Sequence, residues 1–442
     1  MAKQVYIKEL ILEDYKCFKG VNSFSFERTE KESGKSGIYQ WTVFLGNNGT
    51  GKTNLLKTLA NLEPRKTKLP SKGKDGESNE EIMYEPKMIE TYDGLTYSVG
   101  AFFVETTDKE KGLIEKKLSL IGKRPDKKKI HGLPIGSLGY GKNVVLVSSN
   151  SSFEELKIYA YGVNRVASKS GLNTELGDSA SSLFRDDVKL LNFEDWLLQL
   201  ELAKGNNIEG ASVRLELLKD IFHNSGLMPY IEDFSLVTDK RFNNRILFKC
   251  IDGDFRFEEL GYGYQCMLAW IFDFSKRMFD RYPDSPNPLH ESAIVIIDEI
   301  DLHLHPRWQR QLLKALSVFF PNTQFVVSTH SPLIIQSMDG INLYVLRHQV
   351  DGSVVAERME NVNWEGWQME EILQETMDVQ DGYTSDTLKN VVDSFNEACS
   401  DDNLEEAERL FHELEKSVNP NGLLMQQLKT QIRDLRNYHE EN

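Results

Sequence analysis

The sequence predicts an α/β protein with a mainly parallel core sheet, an antiparallel β subdomain, a helical insertion and a C-terminal helical region. Three observations carry that prediction. Residues 40–62 (QWTVFLGNNGTGKTNLLKTLANL) read as strand, glycine-rich turn and helix. Two short β-branched runs, AIVII at 293–297 and QFVVS at 324–328, have turn signals behind them and a helical pattern between them, as buried parallel strands do. Residues 4–27 carry near-alternating apolar positions, which predicts two further strands.

The remaining elements follow in chain order. Residues 64–81 are polar and rich in Gly, Pro and Ser, so an exposed loop is expected. Residues 97–104 and 143–148 read as strands. Between them lies a basic loop with nine Lys/Arg from Lys109 to Lys129. Residues 180–224 read as mostly helical, 244–259 as further strand, and 261–282 as a long buried helix. Residues 306–320 read as a helix whose Pro306 suits a first turn. Three amphipathic stripes end the chain: Leu388, Val391, Val392, Phe395 and Cys399; then Leu404, Ala407, Leu410, Phe411, Leu414 and Val418; then Leu424, Leu428, Ile432, Leu435 and Tyr438. The expected division is residues 1–62 as the N-terminal lobe, 63–240 as an insertion, 241–350 as the C-terminal lobe, and 351–442 as an acidic helical tail.

Composition narrows the class. The 442 residues hold 52 Lys+Arg and 68 Asp+Glu, a formal net charge of −16, with 40 % hydrophobic residues. No run approaches the roughly 20 apolar residues of a membrane helix. The N-terminus does not read as a signal peptide, so a cytoplasmic chain without a membrane partner is expected. Cys17, Cys250, Cys266 and Cys399 lie far apart without metal-ligand spacing. The acidity is local: residues 351–442 hold 22 acids and 7 bases, which leaves the body almost neutral. The body could therefore meet DNA or another nucleic acid through the lysines of 109–129, in a salt-dependent way.

Gly46-Asn47-Asn48-Gly49-Thr50-Gly51-Lys52-Thr53 fits GxxxxGK[ST]. Glycines let backbone N–H groups turn toward a phosphate, and the helix behind adds its positive end. Lys52 is placed to reach the β- and γ-phosphates, and the Thr53 hydroxyl to ligate Mg²⁺. The expected nucleotide contacts run through Asn47, Asn48, Gly49, Thr50, Gly51, Lys52, Thr53 and Asn54, with ATP and Mg²⁺ as cofactors. The strand at 293–297 ends in Asp298-Glu299. Asp298 is expected to hold Mg²⁺ with Thr53, and Glu299 to polarise the attacking water. Asp301 is as compatible with a plain surface acid. His330, at the end of the next strand, is expected to contact the γ-phosphate. His303 and His305 lie on a turn without a third ligand, which argues against a metal pair.

Together these motifs resemble the ABC-type ATPases of the RecF/SMC-like group. The order is decisive: an early phosphate loop, a long insertion, a signature segment, an acidic strand end and a histidine. The resemblance implies an ABC-ATPase head. It also makes Glu259-Leu260-Gly261-Tyr262-Gly263-Tyr264-Gln265 the signature candidate, whose Gly261 and Gly263 would meet nucleotide held by a second head. Gly261 replaces the family's serine, and the glutamine loop has no clear counterpart. The segments LEDYKCF, YAYGVNR (with Tyr161, Gly162 and Arg165), DEIDLHLHPRWQRQLL and TQFVVSTHSPLIIQS are similar to ATPase subunits of Septu and retron-associated anti-phage systems. That resemblance implies a head-to-head dimer or larger oligomer that hydrolyses ATP and controls a partner HNH nuclease. The chain itself has no HNH pattern. Asp252-Gly253-Asp254 is a DxD, but it precedes the signature, which argues against a nuclease in this chain. The competing functions are a DNA-repair ATPase that clamps DNA and an ATP-binding scaffold with little turnover. Residues 370–442 are the expected docking or self-assembly surface.

Overall fold

Strands buried on both faces define the centre of this protein. The computed structural model describes residues 4–28, 37–72, 78–86, 97–106, 113–122, 144–148, 156–169, 176–223, 226–360, 362–377, 386–420 and 422–441. Strands Trp41–Gly46, Ile158–Tyr161, Ala293–Ile297 and Thr323–Thr329 are buried at every residue. Such runs are too apolar for a one-sided sheet, and they pair in parallel. The six-stranded core runs, edge to edge, Ile158–Tyr161, Ala293–Ile297, Thr323–Thr329, Trp41–Gly46, Asn342–His348, Val354–Met359. The first five strands are parallel. The last, Val354–Met359, is antiparallel to its neighbour. This order brings the ends of the acidic, histidine and phosphate-loop strands side by side.

Helix Lys52–Asn61 lies between two sheets. Its Leu55, Leu56, Leu59 and Ala60 share one core with Phe44, Ile294 and Val326 of the parallel sheet. The same core includes Ile7, Leu10, Leu12, Phe18 and Phe24 of an antiparallel sheet. Each fully buried leucine contributes ~1.5–3 kcal/mol. That second sheet has five strands in the order Val144–Ser148, Leu113–Gly122, Tyr97–Thr106, Gln4–Tyr15, Phe18–Ser25. Elsewhere Trp41 stacks on Phe325, with centroids 4.2 Å apart.

Three expectations need correction. The presumed loop at 64–81 is largely a hairpin, with Pro64–Lys72 paired to Ser78–Pro86. Backbone pairing there needs no apolar side chains, so a polar sequence concealed it; the turn signals Gly73, Asp75 and Gly76 fall outside the described residues. The basic segment Lys109–Lys129 is not a simple loop either. Its middle, Leu113–Gly122, is a strand between Tyr97–Thr106 and Val144–Ser148. Lys109, Lys111 and residues 123–129 lie outside the described residues. The stretch 244–259 is two antiparallel strands, Asn244–Cys250 and Gly253–Phe255, followed by a 3₁₀ turn, Phe257–Glu259.

Helices Phe193–Gly205, Ala211–His223, Tyr262–Arg281 and Pro306–Phe319 occupy the segments that read as helical. The chain forms two compact units, Met1–Ile372 and Leu373–Asn442. In the second, helices Asp386–Ser400, Leu404–Ser417 and Leu423–Glu441 pack their stripes on one another. Phe395, Ala407, Leu410, Leu414, Leu428 and Ile432 are at most 5 % exposed. Among the described residues, no helix is long and apolar enough to cross a membrane.

Candidate functional site

The phosphate loop follows from its glycines. Gly49 and Gly51 have φ of +82° and +85°, a region that side chains disfavour. A Cβ on Gly51 would also lie 2.5 Å from the Cys17 Sγ. Gly51 caps helix Lys52–Asn61 without any side-chain hydrogen bond, so the first N–H groups keep their capacity for an anion. Thr50 Oγ1 donates to the Asn47 carbonyl at 2.8 Å. Lys52 is 6 % exposed and folds over the loop. Its Nζ donates to the carbonyls of Gly46 at 2.7 Å and Asn47 at 3.0 Å. Lys16 donates to the Asn54 side chain at 3.2 Å. Asn48 stands exposed at the loop's crest.

The acidic strand end meets this loop. Thr53 Oγ1 donates to Asp298 Oδ2 at 2.7 Å. Ser328 Oγ donates to Asp298 Oδ1. The same Ser328 oxygen accepts the Glu299 backbone N–H at 2.8 Å. Thr329 Oγ1 donates to Asp301. Glu299 has φ +48°, an uncommon backbone for a non-glycine residue. Arg165 is 1 % exposed and donates to the carbonyls of Asp298 at 2.7 Å and Glu299 at 3.0 Å.

Electrostatics tie the group together. Burial pushes Lys52 down to about 8, opposed by the charges of Asp298, Glu299 and Asp301. Burial, and then the Lys52 charge, lower His330, while the same three carboxylates act the other way. His330 is therefore mostly neutral at physiological pH and stands within the field of the same cluster.

The structure thus brings together Lys52, Thr53, Asp298, Glu299 and His330. The donor set suits Mg²⁺, a hard cation that takes a hydroxyl, one carboxylate and substrate phosphate oxygens. Among the described residues no group of three or more His, Cys, Asp or Glu is placed to hold a metal ion. Gly261 and Gly263 are placed against the loop after the acidic strand. A Cβ on Gly263 would lie 2.4 Å from the His303 carbonyl oxygen, whereas one on Gly261 meets nothing nearer than 3.7 Å. Tyr262 packs edge-on against His303, and Tyr264 stacks on Trp308. A cavity of about 750 Å³ opens there, lined by Gly261, Tyr262, His303, His305 and Arg307 among others, not by Lys52 or Asp298. Ser328 and Arg165 are the contacts that sequence reasoning missed. Ser328 offered one signal, a lone hydroxyl ending an apolar strand. Arg165 offered none beyond its place in a familiar-looking segment.

The chain is similar to several known proteins. Residues 201–336 match the family described as "AAA domain, putative AbiEii toxin, Type IV TA system". The chain is 23 % identical to "Septu protein PtuA" of Bacillus thuringiensis, over 88 % of this chain and 91 % of that protein. It is 43 % identical to "Retron Ec83 probable ATPase" of Escherichia coli, over 20 % of this chain and 17 % of that one. The SMC head domain of Thermotoga maritima aligns with 80 % of this chain and 99 % of its own, at 14 % identity and a TM-score of 0.40. With an intact phosphate loop facing an acidic strand end, the chain is an ATPase, similar to a Septu protein over most of its length and to a retron probable ATPase over a fifth of it.

Proposed function

We propose that the chain binds Mg-ATP at Lys52, Thr53 and Asp298 and hydrolyses it with Glu299, as the ATPase of a defence complex. One observation carries this reading: the Thr53 and Ser328 hydroxyls converge on the two oxygens of Asp298, beside Lys52. A bound Mg²⁺ would supply charge neutralisation to the phosphates. Lys52 would exchange its loop carbonyls for phosphate oxygens. Glu299 lies next along the chain and would orient water toward the γ-phosphate, with His330 beside it.

In this reading residues 1–62 and 241–350 make most of the head, to which 63–240 adds the edge strand Ile158–Tyr161 and 351–442 the strand Val354–Met359 before the helical tail. The signature glycines Gly261 and Gly263 would face a second head, giving a dimer or larger oligomer. The partner would be an HNH nuclease, and the lysines of 109–129 a place for nucleic acid. The similarity to a Septu protein along nearly the whole chain supports this part. Lys52→Ala should lose ATP binding. Glu299→Gln should keep binding and lose about 10²- to 10⁴-fold in turnover. Wild-type hydrolysis in Lys52→Ala would reject the site. For the partner, the native complex should copurify with a nuclease; stoichiometric DNA without one would favour a DNA-clamping ATPase.

A further inference from the structure

Arg165 enters the site from behind. It follows the edge strand Ile158–Tyr161, which pairs in parallel with the acidic strand Ala293–Ile297. The Asp298 N–H donates to the Tyr161 carbonyl at 2.9 Å, so the pairing continues to the point where the acids begin. Its guanidinium donates forward to two successive carbonyls, those of Asp298 and Glu299, and back to Gly162 at 3.1 Å. The planar guanidinium reaches the two successive carbonyls with separate nitrogens, Nη1 on Asp298 and Nη2 on Glu299, a spacing that a single ammonium nitrogen lacks; its Nε makes no hydrogen bond.

The carbonyls it holds belong to a peptide under constraint. Glu299 adopts φ +48°, a left-handed backbone that side chains disfavour. The peptide is held on both sides: Ser328 Oγ takes the Glu299 N–H, and Arg165 takes the Glu299 carbonyl. A residue so clamped has its Cα–Cβ vector fixed, which narrows the positions its carboxylate can reach. The guanidinium is also a buried positive charge behind three carboxylates, Asp298, Glu299 and Asp301.

We propose that Arg165 is a positioning residue for hydrolysis: by gripping the carbonyls of Asp298 and Glu299 it fixes the strained turn that aims Glu299 at the attacking water. This rests on the reading of Glu299 given above. The inference separates Arg165 from Lys52, which acts on the substrate itself. Removing the grip should therefore leave ATP binding intact and slow turnover.

The test uses the full chain, with Arg165→Lys (charge kept, fork lost), Arg165→Gln (planar donor kept, charge lost), Glu299→Gln and the two double variants. ATP affinity is measured by calorimetry, turnover by steady-state kinetics and folding by thermal melting. The expectation is a loss of at least tenfold in kcat for Arg165→Lys, with KM and affinity within about threefold of wild type. In the Glu299→Gln background the same change should cost about twofold or less, because two residues acting through one group are not additive. An equal loss in both backgrounds would overturn the inference, as would unchanged kcat in a folded Arg165→Lys protein. Loss of a cooperative melt in both single Arg165 variants would make the arginine a fold element and overturn it as well. Wild-type turnover in Glu299→Gln would instead reject the reading of Glu299 on which it rests.

Discussion

Lys52 shows what a single buried charge can report. Its pKa of about 8 in the free protein means that near that pH half of the molecules hold a neutral amine. A bound triphosphate favours the charged form and raises the pKa again. Affinity should be fully present below the free-protein value and fall as pH rises through it. Binding should take up roughly half a proton near pH 8 and almost none about two units lower. Calorimetry in buffers of different ionisation enthalpy measures this directly, and Lys52→Arg should abolish the uptake. The phosphate loop was legible in the sequence because its eight positions are contiguous. Ser328 and Arg165 were not, because their partners lie 30 and 133 positions away and only the sheet order brings them together.

Helix Tyr262–Arg281 separates two roles that the sequence joined in one motif. Gly263 is needed for packing, since its Cα side faces the His303 carbonyl. Gly263→Ala should cost about 1–3 kcal/mol, read by denaturant unfolding. Gly261 has open space and an ordinary φ of −57°, so Gly261→Ala should change stability by no more than about 0.5 kcal/mol. If Gly261→Ala is stable but loses nucleotide-dependent assembly, the glycine serves a second copy; if assembly is unchanged, it serves only the helix start. Elements with one clear period, such as Pro306–Phe319, were easy to read. The strand Leu113–Gly122 was not, because Glu115, Lys116 and Lys117 break its apolar run. Pairing with two neighbours, not side-chain pattern, decides that segment.

The chain as a whole divides after Ile372. The unit 373–442 has its own core, so Leu414→Ala, at a fully buried site, should destabilise that unit by ~2–5 kcal/mol. It should leave the ATP affinity of the other unit unchanged, and calorimetry on the variant checks both. Deletion of 373–442 should leave ATP binding intact and remove partner association; retained association would move the docking surface elsewhere. The sequence showed three stripes in need of cover but not where the cover lay. The structure gives it: the stripes cover one another.

That self-cover has a consequence for how the tail can be read by anything else. Its apolar faces are largely spent internally, with Tyr438 left exposed, and Asp401, Asp402, Glu405, Glu408, Glu413 and Glu415 stand exposed. What it offers outward is chiefly a field, with a reach of about 8 Å at physiological ionic strength. A partner recognising it would carry lysines or arginines, arrive quickly in dilute buffer, and let go as salt is raised.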